Sequence, residues 1–190
     1  MTTIGVIGAM PEEVTLLKNK LSNLGEEKTA GLTVYTGTLG DKNVVLCQSG
    51  MGKVNAAAAT QLLITKFGID AIINSGIAGN MTSKIGVGDV VLSKEVMYHD
   101  AQLDMIKQAY PFLESYNGNE KLLTAAQKAC AELNVTALTG RIATGAFLSA
   151  MQNSNRKLQI SVTLTALKWK VRQLHTLQPK TIFLLLSSVQ

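Results

Sequence analysis

Residues 3–21 read TIGVIGAMPEEVTLLKNKL, and the change of pattern inside this stretch decides the fold class. Its first part is an apolar run that closes in small residues. Its second part carries Val14, Leu16, Leu17 and Leu21 at helical spacing. Pro11 suits a first helical turn, and Glu12 and Glu13 complement the positive end of a helix dipole. The stretch predicts a strand, a tight turn and a helix.

The same alternation continues outward. LTVYTGTLG (32–40) and KNVVLCQSG (42–50) are two β-branched runs meeting at GDKN, which reads as a hairpin. KVNAAAATQLLITKFG (53–68) predicts an alanine-rich helix closed by Gly68. AIINSG (71–76) is a continuous apolar run, as expected of a strand buried on both faces. VGDVVLSKEV (87–96) and ALTGRIATG (137–145) read as strands and EKLLTAAQKACAEL (120–133) as an amphipathic helix, whereas residues 101–118 read as a loop or short irregular helix. The fold class expected is α/β, a central sheet covered by helices, with glycine-rich strand ends where such sheets bind ligands.

Length and composition agree with this. The chain has 190 residues, 46% hydrophobic and 16% charged, which is globular and excludes a disordered chain. The N-terminus has no basic segment followed by a long apolar run, and no stretch reaches the about 18–20 apolar residues of a membrane span, so the setting expected is the cytosol. Cys47 and Cys130 make neither a metal-ligand spacing nor a disulfide framework and are expected to be reduced core residues. The net charge of +5 is unevenly placed: residues 1–145 hold 12 Lys/Arg and all 13 Asp/Glu, whereas residues 146–190 hold 6 Lys/Arg and no carboxylate. Taken alone, a basic tail of this kind is a candidate nucleic-acid or membrane-surface segment.

Several motifs invite chemistry. SGMGKV (49–54) is not a phosphate loop, because that pattern needs Gly in place of Cys47 and Ser or Thr in place of Val54. Its glycines either make a tight turn or let the backbone approach a ligand. GVIGAM (5–10) lacks the dinucleotide spacing, so neither motif supports a bound cofactor. Glu12 and Glu13 are either solvated helix-start carboxylates, or one of them points into the cleft at the strand ends and acts as a base toward water. The single His99 beside Asp100 reads as a satisfied pair, and no His-rich metal cluster is present in the sequence.

Five segments in register, IGVIGAMPEEVTLL, SGMGKVNAA, INSGIAGN, VGDVVLSKEVMYHDA and GRIATG, give the first 145 residues a close resemblance to the 5′-methylthioadenosine/S-adenosylhomocysteine nucleosidases. The resemblance implies a nucleoside phosphorylase-like three-layer α/β/α domain with a central mixed sheet. It also implies a homodimer, no metal or organic cofactor, and hydrolysis of the bond between adenine and a 5′-thioribose. It makes Glu13 the residue that positions or activates the attacking water. Met10 is placed beside the ribose, Met51 near the sugar and thio substituent, Ile77 and Ala78 along the ribose and base, and Phe147 against adenine, where a ring buries a purine face.

The resemblance stops in the tail. Two departures already lie inside the region of resemblance: TGAFLS (144–149) looks one residue short of the family pattern, which usually carries an Asp there, and the stretch after YHDA (98–101) looks compressed. The family's carboxylates for the leaving purine and the ribose hydroxyls lie downstream on a VEMEG helix start and a RAISD strand end, and neither motif occurs here. One DNA string for Leu167 to Thr176, TTG AAA TGG AAG GTG CGG CAA TTG CAC ACA, read one base earlier behind a G, yields Val-Glu-Met-Glu-Gly-Ala-Ala-Ile-Ala-His. The same offset, applied to one DNA string for Ile182 to Gln190, yields the strand that leads to the family's aspartate; if the next family residue is Ile, encoded ATA, and the following codon begins with A, the frame used here meets TAA directly after Gln190. The expectation is a nucleosidase-like domain at residues 1–146 followed by an aberrant tail at 147–190. On this view the chain is truncated and frame-shifted between about Phe147 and Leu167, with activity lost or severely reduced. IFLLL (182–186) is expected to supply a strand. The alternatives are a sibling nucleoside phosphorylase, opposed by the acidic PEE at 11–13 and by Arg141 being the single arginine before the tail, and a non-enzymatic remnant whose tail binds nucleic acid or membrane.

Overall fold

In the first strand every residue from Gly5 to Gly8 is buried, and consecutive side chains serve two different cores. The computed structural model describes residues 2–80, 82–145, 166–168 and 180–188. It divides into two compact units, Met1–Gly76 with Leu186–Gln190, and Ile77–Leu185.

The first unit follows the expected order, β1 (Thr3–Gly8), α1 (Pro11–Lys18), β2 (Ser22–Thr29), β3 (Leu32–Leu39), β4 (Lys42–Gln48), α2 (Lys53–Phe67) and the start of β5 (Ala71–Asn80). β1 lies between β4 and β5, parallel to both, and β3 and β2 extend the sheet antiparallel beyond β4. Because strand side chains alternate, Val6, Val44 and Leu46 point to one face and meet Val14, Leu17 and Leu21 of α1 and the turn after it. Ile7, Val45, Cys47 and Val34 point to the other and meet Ala59 and Leu63 of α2. The unit is therefore a mixed sheet between two helical layers. α2 closes as the sequence predicts, at Gly68 in the left-handed conformation, whose N–H donates to the Ile64 carbonyl.

Three local expectations change. α1 ends at Lys18 and Leu16 is 76% exposed; Val14, Leu17 and Leu21 make the inward stripe, and Leu16 falls between its members on the solvent side. SNLGEEKT (22–29), to which the sequence pattern assigns no element, is the edge strand β2, almost wholly exposed and paired as a strand with β3, with Lys66 of α2 reaching Glu27 and Thr29. β5 runs on past the turn residues to Asn80, and its residues Ile72–Ser75 are half-buried, not enclosed on both faces.

The second unit begins within β5 and contains β6 (Val90–Tyr98), α3 (Leu103–Gln108), β7 (Ser115–Asn117), α4 (Glu120–Glu132), β8 (Ala137–Thr144), β9 (Ala166–Lys168) and most of β10 (Lys180–Ser188). β8 and β10 run parallel to β6, one on each side, β9 runs parallel to β8, and β9 pairs antiparallel with Ala78–Asn80 of β5. The expected IFLLL strand is thus the middle of β10. α4, capped by the Asn119 side chain on the Leu122 N–H at 3.1 Å, lies along β6 and β8. A buried cluster of Ala78, Ile85, Val91 and Ile142, with Leu138 against it, forms the core of this unit. Residues 101–118, expected to be a loop or short helix, hold α3 and the three-residue β7. Cys47 is a buried free thiol as expected, and burial pushes its pKa up, whereas Cys130 is only half-buried on α4.

The two-faced burial in the first unit makes a direct prediction. Leu63→Ala, at a fully buried site, should cost about 2–5 kcal/mol of stability. Leu16→Ala should change it by no more than about 0.5 kcal/mol. Urea denaturation of both variants checks this, and equal losses would contradict the assignment of Leu16 to the solvent side.

Candidate functional site

The turn between β1 and α1 is where sequence and packing converge on one side chain. Gly8 ends β1 with no room for a side chain, since a Cβ there would stand 2.7 Å from Val14 Cγ1 and 2.9 Å from Glu13 Cβ. Glycine lets the first turn of α1 close directly onto the strand end. Pro11 opens the helix and Glu13 occupies its third position, from which its carboxylate turns back over the turn. Glu13 Oε2 accepts the Ala9 N–H at 2.5 Å and the Met10 N–H at 3.2 Å. This is the acidic half of a capping box, and it orients a half-buried carboxylate with two backbone donors instead of leaving it to rotate in solvent. Glu12, one residue earlier, is exposed, so of the two sequence candidates Glu13 is the one held at the strand end.

The neighbouring turn is tied to this one. Parallel pairing sets Gly8 opposite Gln48, and the next residue, buried Ser49, donates its N–H to the Gly8 carbonyl at 2.9 Å and its hydroxyl to the Gly50 carbonyl at 2.9 Å. Gly50 and Gly52, at φ of 75° and 110°, then turn the chain into α2. Those angles belong to the region that glycine adopts without strain, so the turn reading of SGMGKV holds. Met51 stands between them, 39% exposed, its carbonyl accepting the Asn55 side-chain amide at 2.9 Å. Met10, half-buried, and Met51 are therefore carried by the adjacent turns at the same end of the β1–β4 ladder as Glu13. Ser49 and Asn55 lie inside SGMGKVNAA, yet pattern alone does not single them out. A polar residue directly after a buried strand is the available signal for Ser49.

In the second unit, Ile77 is half-buried in β5 and Ala78 is 5% exposed, its methyl group inside the core cluster. Phe147 lies outside the described residues. His99 donates its backbone N–H to the Thr144 carbonyl at 3.0 Å, and its ring packs so closely on Gly145 that a Cβ there would overlap it. Arg141 Nε donates to Glu95 Oε2 at 2.5 Å across β8 and β6, a pair separated by 46 residues. The Ser115 hydroxyl and then the Arg141 guanidinium hold the Glu95 carboxyl below the usual carboxylate range, against the opposing effect of burial. Among the described residues no group of three or more His, Cys, Asp or Glu side chains is placed to hold a metal ion, and no helix is long and apolar enough to cross a membrane.

The chain has clear counterparts among known proteins. A family model described as the phosphorylase superfamily matches residues 3–167. A 5′-methylthioadenosine/S-adenosylhomocysteine nucleosidase of Staphylococcus aureus is 41% identical over 158 residues, covering 80% of this chain and 69% of that protein. The nucleosidase of the same description from Colwellia psychrerythraea, solved in complex with adenine, aligns with a TM-score of 0.82 at 34% identity, covering 96% of this chain and 80% of that one. The Neisseria meningitidis enzyme, solved in complex with methylthio-immucillin-A, aligns with a TM-score of 0.82 at 28% identity over 97% of this chain and 84% of that one. The chain thus belongs to the phosphorylase superfamily and, within it, to the family of the 5′-methylthioadenosine/S-adenosylhomocysteine nucleosidases.

The Glu95 carboxyl, held by Ser115 and then by Arg141, sets a pH dependence with a defined sign. A carboxylate whose pKa is lowered on folding contributes stability that is present above its unfolded pKa and is lost as pH falls through the lowered value. Glu95→Gln should therefore be less stable than the parent at neutral pH, with the gap closing on acidification. Urea midpoints of both proteins from neutral to acidic pH test this; a gap that widens toward acid would contradict it.

Proposed function

We propose that this chain descends from enzymes that hydrolyse the N-glycosidic bond of 5′-methylthioadenosine and S-adenosylhomocysteine, releasing adenine and the thioribose, and that Glu13 is its retained catalytic group. The observation that carries the reading is the anchored Glu13 carboxylate at the end of β1, in a chain 41% identical to a nucleosidase of that name. In such a hydrolysis the glycosidic bond breaks with positive charge developing on the sugar, water attacks the anomeric carbon, and the purine leaves with a proton. A carboxylate fixed by two backbone amides has little freedom to reorient and can accept a hydrogen bond from the attacking water as its proton is drawn off.

Met10 and Met51 would flank the sugar and its thio substituent, Ile77 and Ala78 the ribose and base, and Phe147 the adenine face. The reaction needs two further groups, an acid for the purine and carboxylates for the ribose hydroxyls, and residues 146–190 hold no Asp or Glu to supply them. Loss of a general acid alone typically costs about a hundredfold to ten-thousandfold, so turnover is expected to be absent or severely reduced. The nucleosidase-like part is placed at residues 1–146 and the aberrant tail, arising from a shifted reading frame, at 147–190. A cytosolic homodimer is part of the same proposal, its oligomeric state measurable by analytical ultracentrifugation.

Incubating the purified chain with 5′-methylthioadenosine and following adenine release tests the activity. The expected result is trace turnover at most, independent of added phosphate and abolished by Glu13→Gln. Turnover at a full enzyme's rate would refute the account of the tail, turnover that needs phosphate would favour the phosphorylase alternative, and residual turnover indifferent to Glu13→Gln would remove Glu13 from the mechanism. The coding DNA offers a second check. Read one base earlier past Phe147, it should continue as nucleosidase sequence beyond position 190, and a gene without that continuation would overturn the frame assignment.

A further inference from the structure

The last residue of β7 belongs to the chain's one Asn-Gly dipeptide, Asn117-Gly118. β7 pairs with β6 through Glu95↔Asn117, Val96↔Tyr116 and Met97↔Ser115, and among the described residues no strand pairs with its other edge. Asn117 is exposed, and the Gly118 N–H donates to the Lys94 carbonyl at 2.9 Å. Tyr116 adds an edge-to-face contact with Tyr98, ring centroids 6.4 Å apart.

We propose that Asn117-Gly118 is a site of spontaneous covalent modification, intramolecular deamidation, and that the product loosens β7 from β6. The reacting nitrogen is the Gly118 amide. With no side chain on Gly118 to shield it, that nitrogen can reach the Asn117 side chain by backbone rotations that other residues resist. Once the bond to Lys94 opens, the amide loses its proton to solvent base and its nitrogen attacks Asn117 Cγ. A new C–N bond closes a five-membered succinimide, and the side-chain nitrogen leaves as ammonia. Water then adds to either succinimide carbonyl, breaking one C–N bond, to give aspartate or isoaspartate. The net change is one water consumed and one ammonia released, with no redox step.

The bond that must open is a single hydrogen bond at the end of a three-residue strand, where local opening is easiest. The consequence comes from register. Asn117 lies directly opposite Glu95, so the new carboxylate faces an existing one, and like charges in that arrangement destabilise a strand pair. It also competes for Arg141, which already donates to Glu95. An isoaspartate adds a backbone carbon within the strand and breaks the pleat as well.

An internal control lies two residues on. Asn119 accepts the Leu122 N–H through its side-chain oxygen and precedes Glu120, whose side chain shields the following nitrogen, so Asn119 should keep its amide.

The experiment incubates the full chain at mildly alkaline pH and physiological temperature, followed by trypsin and tandem mass spectrometry of the peptide Gln108–Lys121. The expected result is conversion of Asn117 with part of the product as isoaspartate, Asn119 unchanged, and a rate several-fold lower in Gly118→Ala. Retention of the Asn117 amide in the folded chain, with or without conversion in the free peptide, would overturn the proposal, as would equal conversion at Asn119. The structural consequence is read separately: Asn117→Asp should lower the urea midpoint in the parent background and much less in Glu95→Gln. An equal drop in both backgrounds would overturn the charge argument.

Discussion

The parallel ladder between β1 and β4 is the constraint on which the first unit depends. It runs from Thr3↔Asn43 to Gly8↔Gln48 without interruption, and both strands are enclosed from the third residue of each onward until the last residue of β4. A strand buried on both faces cannot slip by one residue without exchanging its two cores, because Val6 and Ile7 serve different helices. The register that packs α1 and α2 correctly is therefore also the register that brings Gly8 beside Ser49. The two turns that carry Glu13 and Met51 are set by hydrophobic alternation several residues upstream, and the Ser49–Gly8 hydrogen bond completes a placement already determined.

Much of this is legible in the sequence because it rests on local pattern. β1, the hairpin, α2 and its Gly68 stop, β6, α4 and β8 each carry a continuous apolar run, a helical stripe or a strong turn signal. β2 carries none of these: SNLGEEKT is polar on both faces because an edge strand with exposed faces needs only backbone partners, and those are supplied by β3. Leu16 reads as part of the helix stripe because it is apolar, although the stripe of residues 14, 17 and 21 turns it outward. β10 is announced by the apolar run IFLLL, whereas the three residues of β9 carry no pattern, and the pairings of both strands link segments far apart in the chain.

The site is legible in part for a similar reason. Resemblance and position in a helix start are enough to name Glu13, but its anchorage has no such signal, because Met10 precedes the helix where the usual cap is Ser, Thr, Asp or Asn. Only the Glu half of the capping box is written in recognisable letters. The Arg141–Glu95 pair is invisible in the sequence, since a single arginine 46 residues from its partner carries no local signature. Glu95 is brought within reach by a register shift in the β6–β8 ladder between Ser93 and Glu95, a bulge that no pattern in KEV announces.

One residue thus serves the fold of this chain and is the one proposed for its chemistry. Glu13 closes the N-terminus of α1 by taking the Ala9 and Met10 amides, a role that requires nothing beyond residues 8–13. The proposed catalytic role would require that same carboxylate plus the groups that the resemblance places far downstream. A tail altered as proposed would leave the capping role untouched, so helix capping alone would keep Glu13 in place. The anchored carboxylate at this strand end is consequently a mark of local stability in its own right, and on the proposed reading turnover would depend on the residues beyond position 146.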